Sequence, residues 1–209
     1  GGVFAGGDSK GRVLQVRRDG SLRTVFDAGE DEVRALALGR DGALYAAALS
    51  SPGAPEDDKD GQPRPAASAP SGGRSVVYRI VPDSSALAWW TAPQPMIFAL
   101  AVAPAGAGSG GVLAATGNRA ALYQIERAGG ATQLLAVPQG QLTALVALRD
   151  GAILAATSNP ATLWHVGPER AGRGELLSMA LDARRIARFG HLTWQGDAGG
   201  SRVELSTRS

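Results

Sequence analysis

Short apolar runs, separated by turn-forming residues, recur along this chain in three series. Val3-Phe4-Ala5-Gly6, Leu44-Tyr45-Ala46-Ala47, Val112-Leu113-Ala114-Ala115 and Ile153-Leu154-Ala155-Ala156 are four copies of one strand, and the first and last pairs are each offset by 41 residues. A second series places apolar residues on either side of a polar one: Val13-Leu14-Gln15-Val16, Val77-Tyr78-Arg79-Ile80, Leu122-Tyr123-Gln124-Ile125 and Leu163-Trp164-His165-Val166. That alternation predicts a strand with two different faces. A third series runs from Val33 to Leu38, Ile97 to Val102 and Leu142 to Ala147, immediately before copies two to four of the first. Its nearly unbroken apolar character predicts a strand buried on both faces.

The punctuation between series has the chemistry of hairpins. Arg40-Asp41-Gly42-Ala43 recurs identically as Arg149-Asp150-Gly151-Ala152, and Arg18-Asp19-Gly20-Ser21 and Ala128-Gly129-Gly130-Ala131 mark a second hairpin position. Glycine accepts the positive φ that such turns demand. Fourth strands are expected at Leu22 to Phe26, Ala86 to Thr91, Thr132 to Val137 and Glu175 to Ala180. Four short antiparallel strands in about 41 residues, with almost no helix, is the blade of a β-propeller. The expected fold class is therefore all-β. The strands are named a to d outward from the axis, the third series being a, the first b and the second c. Small residues on a fit where wedge-shaped blades converge, and Tyr78, Trp89, Trp90, Tyr123 and Trp164 fall on c and d, where volume must be filled. A β-sandwich also buries such runs but has no need of the period.

The chain opens on strand b, so further blades are expected upstream; the alternative is a four-bladed ring closed by a strand near Arg184 to Phe189. Residues 1–182 are read as blades and 183–209 as a last strand and the entry to a second β-rich module. Residues 50–74, rich in Pro, Ala, Ser and Gly without a large apolar side chain, are read as a disordered insertion in the b-to-c turn. Their cluster Glu56, Asp57, Asp58 and Asp60 is read as a solvated face of that loop.

Composition then narrows the chemistry. With 21 Lys+Arg against 19 Asp+Glu, a net charge of only +2 gives no basic face for nucleic acid. The absence of Cys excludes disulfides, thiolate metal sites and Cys nucleophiles. No apolar run reaches the roughly 18 residues of a membrane span, and a start at Gly1-Gly2-Val3-Phe4 reads as a piece of something longer.

The repeated pattern in Val33 to Ala48, Val76 to Ile80 and Leu142 to Val166 resembles bacterial β-propeller repeats of the WD-repeat-like and NHL-like group. The resemblance implies a display scaffold with a protein or glycan partner and a periplasmic or extracellular place. The stretch from Leu181 to Trp194, followed by Val203 to Ser209, resembles the entry into an accessory module of the kind that follows such propellers.

Candidate chemistry is sparse. His165 occupies the polar position of strand c, and His191 lacks a second histidine at metal-ligand spacing. Ser9, Asn118 and Asn159 share one position in the b-to-c turns, where Asn either closes the turn on its own backbone or presents an amide to a ligand. Together with Trp89 and Trp90, of which alternation places one on each side of strand d, they form the candidate binding surface. No catalytic residue, cofactor or metal is assigned. The leading expectation is a non-enzymatic scaffold. A second is a carbohydrate-recognition or sensor module. A third borrows from propellers of the gluconolactonase and regucalcin type, which hold a divalent ion on the axis; the entrances to strand a, Glu30-Asp31-Glu32, Gln94-Pro95-Met96 and Gly140-Gln141, offer carboxylates on one blade only. The insertion yields one direct prediction: limited proteolysis cuts within 50–74 before any blade, and protection equal to the strands contradicts that reading.

Overall fold

The computed structural model describes residues 2–8, 10–51, 73–104 and 111–169, and beyond them 172–175, 177, 188, 190–196, 198, 200 and 202–207. Contacts divide the chain into two units, Gly1–Arg170 and Ala171–Ser209. All fourteen strands found among the described residues belong to the first, and no helix occurs among them. No helix among the described residues is therefore long and apolar enough to cross a membrane.

The first blade is β1 (Gly2–Gly6), β2 (Arg12–Arg17) and β3 (Leu22–Asp27). The second is β4 (Glu32–Leu38), β5 (Leu44–Ser50), β6 (Arg74–Val81) and β7 (Ser85–Thr91). The third is β8 (Met96–Val102), β9 (Val112–Gly117), β10 (Ala121–Ile125) and β11 (Ala131–Ala136). The fourth is β12 (Gln141–Ala147), β13 (Ile153–Ser158) and β14 (Thr162–Val166), joined to the third by the single pair Gln141↔Gly117. Neighbouring strands within each blade are antiparallel throughout, as the period predicts, and the fold is an all-β propeller arrangement. The expected strand at Glu175 to Ala180 and the closing strand near Arg184 to Phe189 lie largely outside the described residues, as does 52–72 of the insertion.

The turn chemistry is realised in one repeated form. Gly42 donates to the Gly39 carbonyl at 3.1 Å and Gly39 to Ala43 at 2.7 Å, with Gly42 at φ +81°. Leu148 to Ala152 repeats it with Gly151 at φ +94°. The aspartate before each glycine accepts from the amide two residues on, Ala43 at 3.1 Å and Ala152 at 3.0 Å, which fixes the turn before the glycine completes it.

Packing differs from the simplest reading in which strand is most buried. In the second and third blades strand b, not strand a, is sealed on both faces: every residue of β9 is buried, and so are six of the seven in β5. Alternation explains this, because Leu44, Ala46 and Ala48 enter the core against the first blade while Tyr45 and Ala47 enter the core against the third. Strand a keeps one face toward the centre, so β4 and β8 are only half-buried.

A second departure is a repeated bulge. In each a/b pair one residue of strand a has no cross-strand partner: Arg34, Phe98 and Thr143. Each c/d pair repeats the device on strand d at Val25, Trp89 and Leu134. A bulge sharpens the strand's twist and re-aims a side chain. At Trp89 it sends both indoles toward the third blade: Trp89 donates from Nε1 to the Arg127 carbonyl at 3.3 Å, and Trp90 packs on Tyr123 with ring centroids 5.2 Å apart.

Equivalent positions in different blades allow a controlled test of these cores. Leu122 and Leu163 sit one residue before the aromatic of strand c, yet Leu122 is 0% exposed and Leu163 65%. Leu122→Ala is expected to cost about 2–5 kcal/mol and Leu163→Ala about 0.5 kcal/mol or less, read from denaturant midpoints. Equal costs contradict the blade packing.

Candidate functional site at the entrances to the inner strands

Two residues before each complete inner strand stands a Glu or Gln: Glu30 before β4, Gln94 before β8 and Gln139 before β12. On the third strand of the same blade, at one register, stand Tyr78, Tyr123 and Trp164. The Tyr78 hydroxyl donates to Glu30 Oε1 at 2.9 Å. Gln94 Nε2 donates to the Tyr123 hydroxyl at 2.9 Å, which in turn donates to Gln133 Oε1 at 3.0 Å. In the fourth blade Gln139 Nε2 reaches Thr162 Oγ1 at 3.5 Å. The buried side-chain atoms recorded without a hydrogen-bond partner among the described residues, Glu30 Oε2, Gln94 Oε1, Gln139 Oε1 and Trp164 Nε1, all belong to this repeated position.

Glu30 is 9% exposed, and its pairing draws its carboxylate into the seam between blades. Burial first, and then the Glu30 carboxylate that it faces, push the Tyr78 phenol up to about 12. Asp31 is committed elsewhere: its carbonyl accepts from Lys10 at 3.0 Å and Gly11 at 3.1 Å, and its Oδ2 from the Ser51 amide at 2.7 Å. Glu32 takes a third direction. Arg34 grips it with a two-pronged fork, Nε to Oε1 and Nη2 to Oε2, each at 3.3 Å.

The Arg34 guanidinium also lies 5.3 Å from the centroid of Phe98, the equivalent bulged residue of the third blade. The Phe98 ring lies so close over Gly117 that any Cβ there displaces it. Gln141 begins the next inner strand and accepts from Ser158 Oγ at 3.1 Å. The mouth thus presents Glu32 and Arg34, then Met96 and Phe98, then Gln141 and Thr143, at the starts of β4, β8 and β12. No group of three or more His, Asp or Glu with metal-holding geometry occurs among the described residues.

Of the residues singled out in the sequence, Asn118 and Asn159 lie at this same end, each one residue beyond Gly117 and Ser158, which pair with Gln141. Both are exposed and adopt φ of +56° and +53°, the left-handed conformation that Asn tolerates. Ser9 lies outside the described residues. Trp89 and Trp90 are taken up in packing between the second and third blades, Trp89 with Tyr45 at a centroid distance of 4.8 Å. His165 on β14 and His191 in the second unit are exposed. Arg34 was missed, because nothing in Val33-Arg34-Ala35 announces that a bulge turns this side chain toward the mouth.

Comparison with family models gives no match, and neither does comparison with curated protein sequences. Among solved structures, a gluconolactonase candidate matches with a TM-score of 0.54 at 20% identity, over 79% of this chain and 56% of that one. The calcium-binding protein regucalcin from Agrobacterium tumefaciens matches with a TM-score of 0.50 at 15% identity, over 80% of this chain and 57% of that one. The chain thus spans less than two thirds of the length of the proteins it matches. The likeness is one of fold, and it supports the β-propeller. It also corrects two expectations, the non-enzymatic scaffold and the assignment as no enzyme: the propellers of like fold carry the names of a gluconolactonase and of regucalcin, and neither name is that of a scaffold.

The Tyr78–Glu30 contact has a measurable consequence. A phenol whose folded value lies above its unfolded value of about 10 contributes stability that is fully present below pH 10 and lost as pH rises toward 12. Ultraviolet titration should therefore show Tyr78 ionising late, near 12. Tyr78→Phe should remove that late step, and a late step that survives the substitution contradicts the buried pairing.

Proposed function

We propose that the chain is part of a propeller hydrolase acting on a lactone or similar small ester at the mouth where β4, β8 and β12 begin. The observation that carries this reading is the Glu32 carboxylate, held by the Arg34 fork at the start of an inner strand. The names attached to the propellers of like fold favour the same chemistry. Because the chain corresponds to 56% and 57% of their lengths, the activity is proposed for the complete protein.

The residues present do not fit a divalent cation. A hard cation takes six to eight oxygen ligands, whereas Glu30, Asp31 and Glu32 are engaged in three different directions. No step is therefore routed through a metal. Glu32 takes a proton from water as its oxygen adds to the lactone carbonyl carbon. The ring C–O bond then breaks, the proton passes to the departing alkoxide, and a hydroxy acid results. Asn118 and Asn159 border the mouth as amides for substrate hydroxyls.

The test is proton release from gluconolactone, with a spectroscopic check of folding. The expected result is turnover that Glu32→Gln lowers about a hundredfold or more, the usual worth of a general base. Turnover unchanged in a folded Glu32→Gln variant contradicts the assignment.

A further inference from the structure

We propose that the mouth contains an anion subsite built on Arg34, which takes a carboxylate or a developing oxyanion of the ligand without a divalent cation. The ligand class rests on the hydrolase reading above; the subsite itself rests on the side chains.

Four observations meet at Arg34. It is the unpaired bulge residue of β4, so its side chain leaves the regular alternation of the strand. One face of its guanidinium is seated on Phe98, whose ring is in turn seated on Gly117, where the lack of a Cβ makes room for it. A cation on an aromatic face is held while its edges remain available. Glu32 occupies one edge only: of the five N–H groups of a guanidinium, two point at Glu32, and no partner among the described residues is recorded for the other three. The side chains are 31% and 32% exposed, anchored yet open to a ligand.

The same fork argues against a cation at this place. Both Glu32 oxygens already receive charge-assisted hydrogen bonds, so a metal would have to displace a guanidinium fixed from two sides. Asp31 and Glu30 are turned away to the Ser51 amide and to Tyr78. The free edge of Arg34 matches the planar pair of oxygens that an aldonate carboxylate presents, and its positive charge complements the single oxyanion that forms on the tetrahedral carbon when the lactone is attacked.

Calorimetric titration of the full chain with sodium gluconate and, separately, calcium chloride tests this. Wild type is expected to bind gluconate and to give no stoichiometric calcium isotherm. Arg34→Gln should weaken gluconate about tenfold or more. Arg34→Lys, which keeps the charge and loses the fork, should fall between, and it guards against a folding failure of the first variant. Glu32→Gln, which removes the competing negative charge beside the guanidinium, should bind gluconate more tightly. Gluconate binding that Arg34→Gln leaves unchanged, no binding by wild type, or one calcium per chain lost in Glu32→Gln overturns the proposal. Lactone turnover is scored separately: if it is absent while the titrations follow this order, the hydrolase reading falls and the anion subsite stands.

Discussion

A polar head group left in the seam between two sheets is costly unless something there bonds it. In this protein the seam repeats, and two blades bond it alike: Glu30 and Gln94, just before their inner strands, pair with Tyr78 and Tyr123 on the third strand of the same blade, whereas in the fourth blade Gln139 reaches Thr162 and Trp164 Nε1 has no partner among the described residues. The pairing draws the loop between blades inward, while the preceding blade's turn clamps the loop backbone through the Asp31 carbonyl. The path into β4 is thereby fixed before the strand begins.

That constraint determines the chemistry of the mouth. Because Glu30 is consumed in the seam and Asp31 in holding Ser51, the run Glu30-Asp31-Glu32 leaves one carboxylate at the mouth, with a guanidinium already on it. Three adjacent acidic residues look like a cation site in the sequence and are three separate structural commitments in space. The bulge then adds Arg34 where straightforward alternation would not, and Phe98 and Gly117 from the next blade support it. Local backbone irregularity, repeated for reasons of blade twist, thus supplies the feature on which the functional proposal turns.

The architecture was legible because its causes are local. The 41-residue offset, the Asp-Gly turns and the alternation in Val77-Tyr78-Arg79-Ile80 each follow from short-range rules, and the strands lie where those rules place them. The seams were not legible, since Glu30 and Tyr78 are separated by 48 residues. Aligning the repeats does set 30, 94 and 139 against 78, 123 and 164, a signal that was available and unused. The bulges at Arg34 and Trp89 leave no mark in composition, so the two indoles were expected on opposite sides and face one way. Function was the least legible layer, because a propeller hosts binders and enzymes alike and the inventory of histidines and cysteines says nothing of a carboxylate–guanidinium pair.

On this proposal Arg34, seated on Phe98 and forked to Glu32, sets the charge character of the mouth. A crystal structure of the full chain grown with both calcium and gluconate tests it most directly. The expected result is a gluconate carboxylate on the free edge of Arg34, with the Glu32 fork intact. A calcium ion coordinated by Glu32, with Arg34 swung away from Phe98, would contradict it.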